Sequence, residues 1–285
     1  MKPQRKKLWR HRFLQRQWLR NENSDLIFRR IHERSKASHA YICATEECPI
    51  PLRSRRLQTL RRPTGDSFVG FPFLDYLTGL AKLSRLDSDA DSYFKKFIAG
   101  YKGENHIKSA YQKIAWCYLL KQDSVNYYHF INKAEHAGGS TLDADKQAKK
   151  EADSKRMPDK KLLEARLLFD GGYYEKASAD MTRLNESNFD NQEDKTEYLY
   201  RLGRIYGELG KTDLALLYYD KTIAAGKNLT RYFAANAAFE SGRIYEQKGN
   251  KEKAIYYYNL CISFPNHEYK NGLDQKAKAG LNRLG

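Results

Sequence analysis

The chain has 285 residues, 30% charged and 41% hydrophobic, with 51 Lys+Arg against 35 Asp+Glu and a formal net charge of +16. This length allows one or two domains with a real core. No apolar run approaches the ~18–20 residues of a membrane helix, and no apolar stretch of about 7–15 residues follows the basic N-terminus as a secretory signal would. The four cysteines, Cys43, Cys48, Cys117 and Cys261, make no disulfide framework. A reducing, cytoplasmic location is therefore expected, unless a missing native N-terminus hides an export signal.

The charge is uneven. Residues 1–70 hold 17 Lys+Arg and 6 Asp+Glu, net +11, while residues 71–285 hold 34 and 29, net +5. The head has 13 Arg to 4 Lys, the remainder 9 Arg to 25 Lys, and only Tyr41 of the 21 tyrosines precedes residue 71. A boundary is expected near Gly70. Within the head, Trp9, Phe13 and Trp18 are interleaved with arginines, a texture compatible with nucleic acid or an anionic surface. The apolar residues at 8, 9, 13, 14, 18 and 19 nevertheless give no clean helical face. His32, His39, Cys43 and Cys48 are a possible metal set, but the Cys-x4-Cys spacing is at the edge of what structural zinc uses. A chance cluster is the simpler reading, and no metal or cofactor is expected. The head reads as a basic segment, largely disordered or non-native. It could be an out-of-frame or mis-started translation joined to a truncated array. Phe71, Phe73 and Leu74 would then form an uncapped apolar end.

From residue 71 onward the apolar residues recur at helical spacing. Helices are predicted over 73–86, 89–101, 105–121, 124–137, 142–156, 160–171, 173–185, 194–209, 212–226, 229–248, 251–263 and 269–284. Asp87-x-Asp89-x-Asp91 begins like a calcium loop, but the sixth and twelfth positions are Ser92 and Ile98, not glycine and glutamate. Asp87 or Ser88 reads instead as a helix cap. Gly138-Gly139-Ser140-Thr141 lacks the Lys-Ser/Thr of a phosphate loop and reads as a helix stop. Residues 185–195 are polar and read as a loop.

Two stretches are near copies. Gly203, Tyr206, Gly210, Ala215 and Tyr219 match Gly242, Tyr245, Gly249, Ala254 and Tyr258, each 39 residues apart. Ala165, Gly172 and Ala177 precede Gly203, Gly210 and Ala215 by 38. Such a period indicates a repeat architecture. Leu199, Leu202, Tyr206 and Leu209 make one helix stripe, Gly210 ends it, and Thr212 or Asp213 can cap the next helix. Ala215 lets two helices approach closely, and tyrosines fill the wider space, so Tyr206, Tyr219, Tyr245 and Tyr258 are expected in the core.

Leu202-Gly203, Tyr206, Gly210, Ala215 and Tyr219 resemble the tetratricopeptide repeat family, as do Ser241-Gly242, Tyr245, Gly249, Ala254, Tyr258 and Pro265. The period departs from the family's, which is about 34. The likeness is strong over 160–264. It weakens over 73–137, where Ala115 and Tyr118 fit but no turn glycine follows. The whole run, with its closing LDQKAKAGLNRL, is similar to bacterial proteins containing this repeat. The resemblance implies an all-α, right-handed solenoid of antiparallel helix pairs over 71–285. The last helix has no partner and would cap it.

It also implies a non-enzymatic interaction scaffold that binds a protein or peptide along the concave face lined by the first helix of each pair. Arg166, Arg204 and Arg243 take one structural position and form a ladder of like charge suited to an acidic partner. Tyr200, Asn236 and Phe239 would border it. The alternative is that each arginine pairs locally with Glu164, Glu197, Glu208, Glu240 or Glu246. The competing function is nucleic-acid or anionic-surface association through residues 1–70. No serine or cysteine has a motif context for nucleophilic catalysis.

Overall fold

The computed structural model describes residues 71–285. The expectations for Trp9, Phe13, Trp18, His32, His39, Cys43 and Cys48, and for the basic head as a whole, lie outside the described residues.

Among the described residues there are twelve α-helices, one short 3-10 helix and no strand. The helices are α1 (Phe73–Leu83), α2 (Ala90–Gly100), α3 (Ile107–Leu120), α4 (Ser124–His136), α5 (Asp143–Ser154), α6 (Lys160–Asp170), α7 (Tyr174–Met181), α8 (Gln192–Glu208), α9 (Thr212–Gly226), α10 (Phe233–Gln247), α11 (Lys251–Ser263) and α12 (Lys270–Leu284). The expected loop at 185–195 contains the 3-10 helix Glu186–Asn188, and α8 starts two residues earlier than predicted, because Asn191 caps it. This is an all-α solenoid of helix hairpins.

Each hairpin is closed by the same backbone motif. A residue two or three positions past the end of the first helix has positive φ: Leu86 (64°), Gln122 (61°), Gly172 (78°), Gly210 (73°) and Gly249 (75°). Its N–H bonds to the carbonyl three residues back, and the following N–H bonds five back, as in Gly210 N to Gly207 O and Lys211 N to Tyr206 O. These paired bonds satisfy carbonyls that the helix end would otherwise leave without partners. The missing turn glycine of the α3–α4 pair is thus Gln122, a residue that pays conformational strain for a left-handed backbone.

Asp123, Asp159, Asn191 and Asn250 cap α4, α6, α8 and α11 by accepting a backbone N–H three residues on. Thr212 and Asp213 do not cap α9. Lys211 holds the N-cap position, Thr212 is already inside the helix, and Asp213 meets Lys248 at 2.9 Å. Neither Asp87 nor Ser88 caps α2. Asp89 stands at its start and turns its carboxylate to Lys82 at 2.8 Å, while Asp87 accepts from Arg85.

Small residues lie where the helices meet rings. A Cβ on Gly203 would come within 2.6 Å of the Tyr219 ring, one on Gly242 within 2.7 Å of Tyr258, and one on Gly79 within 2.9 Å of Phe94. Ala90, Ala177, Ala215 and Ala254 are fully buried. Tyr206, Tyr219 and Tyr258 are buried, whereas Tyr245 is half-buried. A second set of rings spans three of the hairpins: Tyr118 on Phe130 (5.3 Å), Tyr206 on Tyr218 (5.5 Å) and Tyr245 on Tyr257 (5.4 Å), all stacked. Offset stacking of this kind adds about 0.5–1.5 kcal/mol to area burial.

The hairpin order is interrupted once, by α5. Helix α5 packs on α3 and α4, as a first helix packs on the hairpin before it, whereas α6 packs on α7 and α8 and only touches α3. Along one edge, ion pairs join these parts. Lys150 of α5 meets Glu268, which also takes Arg231 at 2.9 Å. Arg231 reaches Glu193 at 3.5 Å, and Arg156 meets Glu193 at 2.6 Å and Asp194 at 2.7 Å. The last helix, α12, packs on α10 and α11. Its Gly280 lies 38 residues after Gly242 and faces the same Tyr258 ring. At the other end Leu74 is buried, Phe73 packs among Tyr76, Phe97 and His106, and Phe71 is exposed. Among the described residues no helix is long and apolar enough to cross a membrane.

Candidate functional site

The repeat register gives one position immediately after the small residue of each first helix from α3 onward. It is occupied by Trp116 after Ala115 in α3, Arg166 after Ala165 in α6, Arg204 after Gly203 in α8 and Arg243 after Gly242 in α10. The arginines do not share one environment. The Arg166 guanidinium lies 4.3 Å from the centroid of the Trp116 ring, so a rung stacks on the rung before it. Arg204 lies 4.8 Å from the Phe169 ring and donates to the Tyr200 hydroxyl at 2.9 Å. Only Arg243 takes a neighbouring carboxylate, Glu240, at 2.8 Å. Among the described residues no ion pair joins Arg166 or Arg204 to a carboxylate. Of the other glutamates near the ladder, Glu164 pairs with Lys160, Glu197 with Arg201 and Glu246 with Arg283.

Tyr200, expected to border the face, is 1% exposed. Its ring packs on Tyr232 and Phe233, and its hydroxyl accepts from both Arg204 and Asn236, the latter at 2.7 Å. Burial pushes that phenol well above its ordinary range, with Arg204 opposing, so it stays neutral while it orients the two donors. Asn236 and Phe239 are half-buried, and Phe239 packs on Tyr258 at 5.9 Å. The structure therefore joins Tyr200, Arg204 and Asn236 as one hydrogen-bonded unit and places Phe239 with the next hairpin.

Sequence reasoning passed over three residues here. Trp116 is the ladder's first rung and was legible from register alone. Arg201 is 6% exposed and bonds Glu197 through Nη2 at 2.6 Å and Nε at 3.0 Å. Burial alone would raise the Glu197 carboxyl, but Arg201, Arg166 and Arg231 together hold it below its ordinary value. Lys113, one turn before Trp116, places its amine 3.7 Å from the same indole ring. Among the described residues no group of three or more His, Cys, Asp or Glu could hold a metal. The Asp87, Asp89 and Asp91 carboxylates are taken up by Arg85, Lys82, Lys95 and Lys121.

A sequence model described as tetratricopeptide repeat matches residues 200–267, the span from Tyr200 through α8–α11. The chain contains tetratricopeptide repeats. Arg204, Asn236, Phe239 and Arg243 all lie within the matched repeat span, and Arg166 stands one unit before it. A solved structure, "Crystal structure of NprR in complex with its cognate peptide NprX", is similar at 18% identity. The likeness covers 87% of this chain and 69% of that one with a TM-score of 0.37, and so loose a superposition says nothing of what this chain binds. A search of curated proteins gave no match.

Proposed function

We propose that the first-helix face of these tetratricopeptide repeats is a non-catalytic binding surface for a protein or peptide, and that Arg166, Arg204 and Arg243 grip an acidic stretch of that partner. Stacked helix-hairpin repeats use extended concave surfaces in this way. The observation that carries the reading is how Arg166 and Arg204 are held. Each guanidinium lies against an aromatic ring, Trp116 or Phe169, rather than against a carboxylate. A guanidinium has five N–H donors in a fixed fork. Stacking fixes its plane and leaves in-plane donors for a carboxylate, so less side-chain entropy is lost on binding. Tyr200 further restrains Arg204, while Arg243, already paired with Glu240, would exchange partners.

The test is affinity capture from native cells with mass spectrometry, comparing the wild type with a variant in which Arg166, Arg204 and Arg243 are all alanine. Partners should be lost in the variant while its helical content and melting are retained. An unchanged partner set removes the ladder from consideration.

A further inference from the structure

Lys113 and Arg166 bring two cations to one ring, 3.7 Å and 4.3 Å from the Trp116 centroid, and neither has an ion-pair partner among the described residues. We propose that they form a carboxylate subsite that takes up a proton when it fills. This rests on the reading of the first-helix face as an acidic-partner surface and assigns it a specific rung.

The nearby carboxylates of α5 are already occupied, and Glu197 of α8, which feels the Arg166 charge, is bonded to Arg201. Glu151 of α5 accepts from Gln112 Nε2 at 2.7 Å, Trp116 Nε1 at 2.8 Å and the Tyr127 hydroxyl at 3.1 Å. Asp145 of α5 accepts the backbone N–H of His106 at 2.7 Å and of Ser109 at 3.0 Å. Asp170 of α6 is an exposed residue at the end of its helix. Among the described residues the Lys113 amine donates only to a neutral acceptor, Gln112 Oε1, at 2.8 Å. On the other side stands Arg166 of α6, a like charge. Burial and then Arg166 oppose the ammonium form, outweighing Glu151, Asp170 and Asp145, and lower its pKa to about 7. The indole face favours the cation and limits the drop.

The direction of coupling follows. A carboxylate docked on Arg166 cancels the like charge felt by Lys113 and favours its protonation, so the pKa rises on binding. By reciprocity, protonated Lys113 holds the carboxylate more tightly, and affinity should increase as pH falls through the neutral range.

The full chain with isotopically labelled lysine tests this by NMR, with acetate as the probe at constant ionic strength. The Lys113 signal is assigned by its loss in Lys113→Arg. The expected result is titration near pH 7 that moves upward as acetate is added. In Arg166→Gln, Lys113 should titrate higher without acetate and respond little to it. Titration of Lys113 in the ordinary lysine range overturns the proposal, as does a neutral-range titration that acetate does not move. Either failure leaves the partner-capture result with the three-arginine variant untouched, so the two readings fall separately.

Discussion

The ring of Tyr258 is held between Gly242 of α10 and Gly280 of α12. A Cβ on the first would approach it to 2.7 Å and on the second to 2.5 Å. Alanine in a helix interior normally gains about 1 kcal/mol over glycine. Here steric overlap should win, because Tyr258 is fully buried and has a helix on each side. Gly280→Ala is expected to destabilise by about 1–3 kcal/mol. Gly272→Ala in the same helix meets nothing within 4 Å and should be neutral or stabilising. Denaturant midpoints of the two variants check this, and equal midpoints would show that the ring moves freely.

Gln122 adopts φ 61° at the position where three other hairpins have glycine, and it is exposed. Gln122→Gly relieves a left-handed residue of about 1–2 kcal/mol strain, less the added freedom of glycine in the unfolded chain. A net gain of about 0.5–1 kcal/mol in thermal or chemical unfolding is expected. Gly210→Ala, at φ 73° with open space around it, should lose about 1 kcal/mol by the reverse argument.

Ser241 Oγ is buried with no hydrogen-bond partner. Removing an unsatisfied hydroxyl removes its desolvation penalty of about 1–3 kcal/mol, against the small void that it leaves. Ser241→Ala should therefore raise the melting temperature. A fall would mean that the hydroxyl is bonded in solution.

Glu246 ties α12 to α10 through Arg283, with bonds of 2.7 and 2.8 Å, and also accepts the Tyr258 hydroxyl. The Arg283 hydrogen bonds, opposed by burial, hold its carboxyl below the ordinary 4.5. A lowered folded pKa gives stability that is present above 4.5 and lost as pH falls below it. Arg283 is 48% exposed, so solvent screening limits the contribution to about 1 kcal/mol. Glu246→Gln should melt earlier than wild type at neutral pH, and the gap should close in acid. A gap that persists in acid would assign the loss to packing.

The register of the last three hairpins could be read directly, because Gly203, Gly242 and their turn glycines meet rings or left-handed backbone that exclude larger residues. The first two hairpins were dimmer for specific reasons. Leu86 and Gln122 hold the turn conformation without glycine. Gly79, Ala90 and Phe94 repeat Gly203, Ala215 and Tyr219 across a turn one residue shorter, which breaks the count. In the candidate site, register was enough to place the three arginines. It could not say what each guanidinium touches, because Trp116 and Phe169 belong to the preceding first helices and α5 interrupts the period between α3 and α6. For Tyr200, position on a helix does not reveal that Phe233 of the next hairpin packs on its ring.

A stack of hairpins that touch only their neighbours can fray from either end, one unit at a time. The meeting of Lys150 with Glu268 joins positions 118 residues apart in the chain. Glu268 stands two residues before the terminal helix, so unfolding that passes from that helix into the loop before it must break an ionic clasp to the fifth helix. Unfolding should become sharper and more all-or-none at low ionic strength than in concentrated salt, where the clasp is screened and the units let go in sequence.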